Sequence, residues 1–312
     1  MSCVKPHVFA VVVTYMPQVS PLADLLAALA PQVAQVIVVD NTPEDHRCVA
    51  STISTLTASN IRLIRLNYNA GIAKALNVGI QAAIELHATH VLLSDQDSLP
   101  TPDMVSGLLA ALGELQQEHS VAAVGPSFVD QVSKQPYRFQ VMRPGRYLYS
   151  NQEATESVPH VRALSLITSG TLIPIEVIGI VGMMREDFFI DHVDVEWCHR
   201  ASHKGLLLFG TRYAVMTHRM GDALLRAWVV RWRNYSEYSP QRLYYRFRNF
   251  ICLLRLGFVP AAWKLRASLF WLQEAYVHLF FSHQRLASLR MILRGCWDGI
   301  RGRLGSYSDN RH

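Results

Sequence analysis

Residues 90–98 read HVLLSDQDS, a short apolar run that ends in acidic side chains. Such a run is typical of a strand buried on both faces of a parallel sheet. Asp95 and Asp97 would then lie at the carboxyl end of the strand, where open α/β sheets bind ligands. Two carboxylates there can share Mg²⁺ or Mn²⁺ with substrate phosphates. We favour this metal site over the alternative, a solvated acidic loop.

Strands and helices alternate around this segment through the first 130 residues. Apolar runs at 8–14, 36–39, 61–66, 90–93 and 121–125 predict five strands, with helices between them. This alternation predicts an α/β fold, with a mainly parallel, Rossmann-like sheet flanked by helices. A GxGxxG dinucleotide motif and a P-loop motif are both absent from the sequence, which excludes those two phosphate sites.

Polar residues also follow the other predicted strands. They are Thr14 and Tyr15 after the first, Asp40 after the second, and Asn69, Gly71 and Asn77 around the start of a helix. The carboxylate of Asp40 can accept from a ribose hydroxyl or a pyrimidine imide, or it can cap a helix, with about equal weight. Taken alone, the last three residues are better explained by helix capping than by ligand binding.

A second acidic cluster, at residues 191–196, contains Asp194 and Glu196 beside Trp197. A carboxylate close to apolar groups has a raised pKa and can serve as a general base. An acidic first turn that complements the helix dipole explains the same pattern, and the cluster alone favours that structural explanation.

His218 ends the last apolar strand predicted in the chain. It is a candidate ligand for a phosphate or a metal, although a buried structural histidine is the commoner case. The sequence has neither an HExxH zinc motif nor a GxSxG nucleophile elbow, which argues against those two classes of hydrolase.

Charge is distributed unevenly along the 312 residues. Residues 223–312 carry 15 basic residues (Lys and Arg) and 4 acidic residues (Asp and Glu). Residues 1–222 carry 15 basic and 20 acidic residues. We predict an α/β domain over 1–222 and a basic helical region, with no further strands, over 223–312. Arginines interleaved with aromatics favour an anionic membrane surface as partner. The alternative is a packed helical appendage with a basic rim, and nucleic acid is not expected as a partner.

The composition also bears on location. Five scattered cysteines without a CxxC pair argue for a reducing compartment. The sequence shows neither a signal-peptide pattern nor a run of about 18 apolar residues. We therefore expect a cytoplasmic protein, peripheral at the inner face of the plasma membrane.

Taken together, these motifs resemble the family 2 inverting glycosyltransferases of GT-A fold, and among them the bacterial rhamnosyltransferases that build O-antigen and other polysaccharides. The resemblance is carried by VVVTY at 11–15, VVDN at 38–41, NAGIAKALNVG at 69–79, LSDQDS at 93–98, TSG at 168–170 and DVEWCHR at 194–200. Subgroup signatures are HRMGD at 218–222, YYRFRN at 244–249 and CWDG at 296–299. The motifs span nearly the whole chain.

The resemblance implies a role for each matching residue. The nucleotide would be held by Thr14, Tyr15 and Asp40, beside a wall formed by Asn69, Gly71 and Asn77. Asp97 would ligate the divalent cation, and Asp95 would contact the metal or the ribose. Asp194 matches the catalytic base, although Val193 replaces the first acid of the usual pair. Glu196 is the reserve candidate for the base.

The implied reaction transfers L-rhamnose from dTDP-L-rhamnose to a hydroxyl of a polysaccharide or lipid-linked glycan, with Mg²⁺ or Mn²⁺ as cofactor. An inverting reaction requires Asp194 to face the cation across one pyranose ring. The nearest alternative is another donor, such as UDP-galactofuranose or UDP-glucose. A nucleotidyltransferase or a non-catalytic nucleotide-sugar-binding module is more remote. A homo-oligomer is compatible with the sequence.

Overall fold

The computed structural model describes residues 6–43, 48–130, 136, 138–142, 149–218 and 223–307. The strands are β1 Val8–Thr14, β2 Gln35–Asp40, β3 Ile61–Arg65, β4 His90–Asp95, β5 Ser98–Pro100, β6 Val121–Asp130, β7 Phe139–Met142, β8 Tyr149–Gln152, β9 His160–Ala163, β10 Leu172–Pro174, β11 Leu207–His218, β12 Ala223–Val229 and β13 Arg231–Glu237. The α-helices are α1 Val19–Leu29, α2 Cys48–Ser54, α3 Ile72–Glu85, α4 Met104–Leu115, α5 Ile175–Val181, α6 Val193–His203, α7 Pro240–Arg255, α8 Ala261–Phe280 and α9 Arg285–Arg301.

One large sheet forms the centre, in the order β3-β2-β1-β4-β10-β6-β11-β5, and β9 pairs with β11. Strands β1 to β4 are parallel to one another, as predicted. Strand β10 enters antiparallel between β4 and β6, which the sequence did not indicate. It has three residues, too few for a pattern, and it follows a turn at Gly170 whose φ is +76°.

Alternate side chains of the central strands face two separate cores. On β1, Val11 and Val13 pack into the core that includes α3, whereas Ala10 and Val12 pack on the side of α1 and α4. Helix α3 packs closely on the sheet. A Cβ added at Gly79 of α3 would lie 2.2 Å from a methyl carbon of Val11 on β1. This packing confirms the predicted sheet with helices on both faces.

The region between β6 and β9 contains the antiparallel hairpin β7–β8. The prediction of no strands after residue 222 is wrong, because β12 and β13 form an antiparallel hairpin. Leu225 and Ala227 face inward against Val277 of α8, and Arg226 and Trp228 face outward. This period of two marks a strand that the abundance of arginine and aromatic residues obscured.

Helices α7, α8 and α9 complete the C-terminal region, and α7 packs lengthwise on α9. Among the residues described, no helix combines the length and the apolar character needed to cross a membrane. Residues 219–222, where the predicted domain boundary falls, lie outside the described residues, so that boundary remains a prediction.

Candidate active site

The carboxyl ends of β1, β2 and β4 meet at one edge of the sheet. Thr14 stands beside Asp40 in the β1–β2 register, and its Oγ1 donates to Asp40 Oδ1 at 3.2 Å. The same oxygen accepts from the backbone N–H of Thr42. Thr14 and Asp40 are both buried. The carboxylate of Asp40 is therefore held in a fixed orientation at the floor of this edge.

Tyr15 connects the tips of β1 and β4 through its backbone. Its N–H donates to Gln96 Oε1 at 2.7 Å, and its carbonyl accepts from Gln96 Nε2 at 3.1 Å. The aromatic ring of Tyr15 is exposed beside the strand tips. The side chain of Gln96, the residue between Asp95 and Asp97, thus links the end of β4 to the end of β1.

Asn41 and Asn69 form a network that supports the start of α3. Asn41 Nδ2 donates to Asn69 Oδ1 at 3.1 Å, and Asn41 Oδ1 accepts from the N–H of Ala70 at 2.7 Å. Asn69 Oδ1 also accepts from the N–H of Gly71 at 3.1 Å. Asn41 belongs to the VVDN motif but was not among the predicted site residues, although its position directly after Asp40 was the available signal.

Gly71 makes close contact with the loop before α6. Its φ is +85°, and a Cβ would lie 2.7 Å from the carbonyl oxygen of Phe189. We predict that Gly71→Ala lowers the free energy of unfolding by about 1–3 kcal/mol, because this backbone region is essentially limited to glycine. Gly113→Ala, in α4 with open space around it, should instead stabilise by about 0.5–1 kcal/mol. Urea unfolding of both variants measures the difference, and equal stabilities would contradict the strain argument.

Asn77 lies in the second turn of α3 and is hydrogen-bonded to the segment after α5. Its Nδ2 donates to the carbonyl of Met184 and to Glu186, and its Oδ1 accepts from the N–H of Met184. Both hydrogens of the amide are used in these contacts. The structure thus gives Asn77 a bracing contact, and its contact with the nucleotide remains a prediction.

Asp95 ends β4 next to the tip of β1, in register with Val13. Its backbone N–H donates to Ser169 Oγ at 2.9 Å, and Ser169 Oγ lies 2.8 Å from Ser98 Oγ. The turn that introduces β10 therefore fixes the backbone between the two predicted metal ligands. This contact explains why a TSG segment far along the chain belongs to the site.

Asp95 and Asp97 are suitable donors for a hard divalent cation if a diphosphate supplies further oxygens. Within the ranges that the structure describes, no group of three or more His, Cys, Asp or Glu side chains converges on a metal position. The backbone of His218 pairs with Ser98 beside these acids, and its side chain lies outside the described residues. The donor set thus fits a cation that arrives with a phosphate ligand.

Asp194 lies in the first turn of α6. Burial raises the pKa of its carboxyl to about 6, and the negative charges of Asp95 and Asp191 add to the rise. The N–H of Val195 donates to Oδ1 at 2.8 Å and acts in the opposite sense. Asp194 and Asp95 therefore interact electrostatically, and a carboxylate with this pKa is available as a base at neutral pH.

Glu196, the reserve candidate, is buried in a bidentate ion pair with Arg200. The two contacts, Nε to Oε1 and Nη2 to Oε2, measure 2.9 and 2.8 Å. Arg200 also donates to the carbonyls of Val181 and Met183. Both carboxylate oxygens of Glu196 are thus occupied in joining α6 to α5, which favours Asp194 as the base.

The loop before α6 has an unusual backbone. Phe189, Asp191 and His192 have φ values of +65°, +61° and +63°, a conformation uncommon for residues other than glycine. Such strain persists where the surrounding structure imposes it, and it clusters at functional sites. Here the strained loop places Asp194 at the start of α6.

Helix α7 imposes that loop conformation. Asn249 is buried, and its Nδ2 lies 2.8 to 2.9 Å from the carbonyl oxygens of Phe188, Ile190 and Asp191. Arg248, also buried, donates to the carbonyl of Phe188 at 2.8 Å. We call Arg248 and Asn249 the α7 clamp. Neither residue was among the predicted site residues, although two polar residues on the apolar face of a helix were a signal.

Two arginines of α7 also form ion pairs with Asp191 in the loop before α6. Asp191, which is nearly buried, pairs with Arg242 at 3.3 Å and with Arg246 at 3.4 Å. Arg246 stacks on the ring of Tyr238 at 3.9 Å. The predicted acidic cluster therefore divides into three roles: Asp191 is in ion pairs with α7, Glu196 braces α5, and Asp194 lines a cleft of about 660 Å³.

Comparison with known proteins agrees with this arrangement. Residues 10–167 match the family model described as glycosyl transferase family 2. The chain is 32% identical over 300 residues to the dTDP-rhamnosyl transferase RfbF of Shigella flexneri, which covers 96% of this chain and 97% of the relative.

Two solved structures are similar in fold. The first is GalNAc-T7 with UDP, GalNAc and Mn²⁺, with a TM-score of 0.54 and 12% identity over 68% of this chain and 43% of the other. The second is TarS of S. aureus, with a TM-score of 0.50 and 14% identity over 95% of this chain and 49% of the other. This chain thus spans less than half the length of either solved chain, and at these identities the likeness concerns the fold alone.

Proposed function

The chain belongs to glycosyltransferase family 2 and has the GT-A fold, and from this premise we propose that it transfers L-rhamnose from dTDP-L-rhamnose to a glycan hydroxyl. Use of a nucleotide-sugar donor follows from the family. The identity of the sugar is supported by one observation, the 32% identity to a dTDP-rhamnosyl transferase over 96% of the chain. A surface polysaccharide such as O-antigen, built on a lipid-linked carrier, is the proposed acceptor.

The donor nucleotide would lie along the tips of β1 and β2. Asp40 would accept a hydrogen bond from the imide N–H of thymine, since the deoxyribose of dTDP lacks a 2′-hydroxyl. Thr14 orients this carboxylate through the bond at 3.2 Å. The exposed ring of Tyr15 would cover the base or sugar, and Gly71 and Asn69 would form the opposite wall.

Asp194 would act as the general base on the acceptor side. As the acceptor oxygen bonds to the anomeric carbon, its proton passes to Asp194 and the bond from that carbon to the diphosphate breaks. The products are the glycoside and dTDP, with inverted configuration at the anomeric carbon. The pKa of about 6 supports this role, because the carboxylate is charged at pH 7 and still basic enough to accept a proton.

Asp95 and Asp97 would hold Mg²⁺ or Mn²⁺ together with the diphosphate. The bound cation stabilises the negative charge that develops on the leaving group. The side chains provide two carboxylates at the tip of β4, and the Ser169 contact keeps the backbone between them in place. His218 is retained as a further candidate ligand because its backbone lies beside Ser98.

We expect dTDP-rhamnose to raise the melting temperature more than other nucleotide sugars. A ligand at one hundred times its Kd stabilises by about 2.7 kcal/mol, which is several degrees for a chain of this size. The measurement is a thermal-shift panel of dTDP-rhamnose, UDP-galactofuranose and UDP-glucose, with and without Mn²⁺. Asp97→Asn should lose the Mn²⁺-dependent part of the shift. A larger shift with a UDP sugar would replace the proposed donor, and no shift with any sugar would contradict transferase function.

We also propose that the C-terminal region docks on the anionic cytoplasmic face of the plasma membrane. At the turn of the β12–β13 hairpin, Trp228, Val230 and Trp232 are exposed, and Val230 is 88% accessible. Arg231 and Arg233 flank them on the same hairpin. Aromatic side chains at the acyl boundary with arginines at the headgroups are typical of interfacial binding.

Raising the salt concentration from 0.1 to 1 M (roughly 10 to 3 Å in Debye length) should therefore release the protein from phosphatidylserine vesicles. Arg231→Glu with Arg233→Glu should weaken binding to the vesicles at 0.1 M salt by at least about thirtyfold, since each of the two basic side chains contributes about 1 kcal/mol. Binding that is insensitive to salt, or absent, would contradict membrane docking.

A further inference from the structure

The cleft that Asp194 lines contains none of the residues assigned to the nucleotide. Its walls come from five places: the loop and first turn of α6, strand β7, the segment after β9, helix α7 and helix α8. The lining includes Gln140, Ser165, His192, Arg246, Phe270 and Trp271. Asp194 thus lines a cavity of about 660 Å³ and also interacts electrostatically with Asp95 at the tip of β4.

Two buried polar atoms at this cleft lack partners among the described residues. They are Nε2 of His192 and Nε of Arg246. Burial lowers the pKa of His192 to about 4, with the charge of Arg246 acting in the same direction, so the imidazole is neutral at pH 7. A neutral imidazole nitrogen and a guanidinium N–H can bind hydroxyl groups. Because buried polar groups are normally satisfied, these atoms point to a polar ligand.

The cleft also has aromatic surface at its rim. Phe270 of α8 is 48% exposed and packs edge-on against Trp271, with ring centroids 5.6 Å apart. The planar amide of Gln140 on β7 is exposed at the same cleft. An apolar ring face with nearby amide and imidazole groups is suited to a pyranose, which has an apolar C–H face and equatorial hydroxyls.

We propose that this cleft is the acceptor site, that it binds the terminal pyranose of the glycan, and that Phe270 and Gln140 determine which sugar is accepted. The inference rests on the proposed function, since it takes Asp194 as the base. One hydroxyl of the bound pyranose lies at Asp194, and another lies at His192. The C-terminal helices therefore contribute to substrate recognition as well as to the support of the α6 loop.

The test is saturation-transfer NMR with methyl glycosides of rhamnose, glucose, galactose and N-acetylglucosamine, added to the full chain with dTDP and Mg²⁺. At least one glycoside should bind, and Phe270→Ala should weaken it about five- to tenfold, as expected for loss of an aromatic contact. Phe280→Ala removes a phenylalanine of α8 that is even more exposed, at 59%, but lies outside the cleft, and it should change nothing. Gln140→Ala is a second test variant. Gln152→Ala, on the same β7–β8 hairpin but outside the cleft, is its matched control.

The outcomes separate this inference from the proposed function. If dTDP-rhamnose binds but no glycoside does, or if Phe270→Ala and Phe280→Ala bind the glycoside equally, the acceptor site is overturned and the donor assignment stands. If a glycoside binds in a manner sensitive to Phe270 while dTDP-rhamnose does not bind, the acceptor site stands and the proposed donor is overturned.

Discussion

Replacing Asp194 by Asn is expected to lower kcat by roughly 10²–10⁴-fold while changing the Kd of dTDP-rhamnose by no more than about twofold. The substitution keeps the shape and removes the group that accepts the proton of the acceptor hydroxyl. Donor binding is spared because the nucleotide candidates lie on other elements, at the tips of β1 and β2. The measurement combines initial rates with calorimetric titration of the donor.

The pH dependence provides an independent check on the same residue. Burial raises the pKa of Asp194 to about 6, and a base must be deprotonated to act. The rate of the wild-type protein should therefore be full above that pKa and fall tenfold per pH unit below it. Asp24→Asn, at an exposed acid of α1, is the control and should retain both rate and profile. Near-normal turnover of Asp194→Asn would remove this residue from the role of base.

Replacing Asn249 by Ala should lower the free energy of unfolding by about 2–4 kcal/mol, because its buried amide nitrogen contacts three carbonyl oxygens of the loop before α6. Turnover should also fall by roughly 10–100-fold, because the strained loop would relax and displace Asp194. Urea unfolding gives the first quantity, and rates measured well below the melting temperature give the second.

The matched control is Asn234→Ala, which removes an exposed amide from the β12–β13 hairpin and should leave stability within about 0.5 kcal/mol. A clamp that acts on catalysis predicts a loss of kcat in Asn249→Ala even at temperatures where the variant is fully folded. If the folded variant turned over at the normal rate, Asn249 would have a role in stability alone.

The strand tips could be predicted from the sequence because each follows an uninterrupted apolar run. Strands β1, β2 and β4 are such runs, and parallel order brings Thr14, Asp40 and Asp95 to one edge without any knowledge of side-chain contacts. The first turn of α6 was also predictable, since its acids stand at the start of a polar helix.

Contacts between distant segments could not be predicted. Asp191 pairs with Arg242 and Arg246 of α7, and Glu196 pairs with Arg200 of α6, so the roles of these two acids depend on arginines from two helices. Asn77 was expected to take part in helix capping or, from the family resemblance, to line the nucleotide site, and its hydrogen bonds to Met184 were not predicted. Such pairings depend on tertiary packing, on which local residue patterns carry no information.

A crystal structure with dTDP-rhamnose and Mg²⁺ tests the central claim most directly. The claim predicts the rhamnose ring between the carboxylates of Asp95 and Asp97 and that of Asp194. The diphosphate should lie toward the first pair, and a water or acceptor oxygen should lie within about 3 Å of Asp194 on the opposite face of the anomeric carbon. A donor bound with its anomeric carbon turned away from Asp194, or with the diphosphate remote from Asp95 and Asp97, would contradict the account.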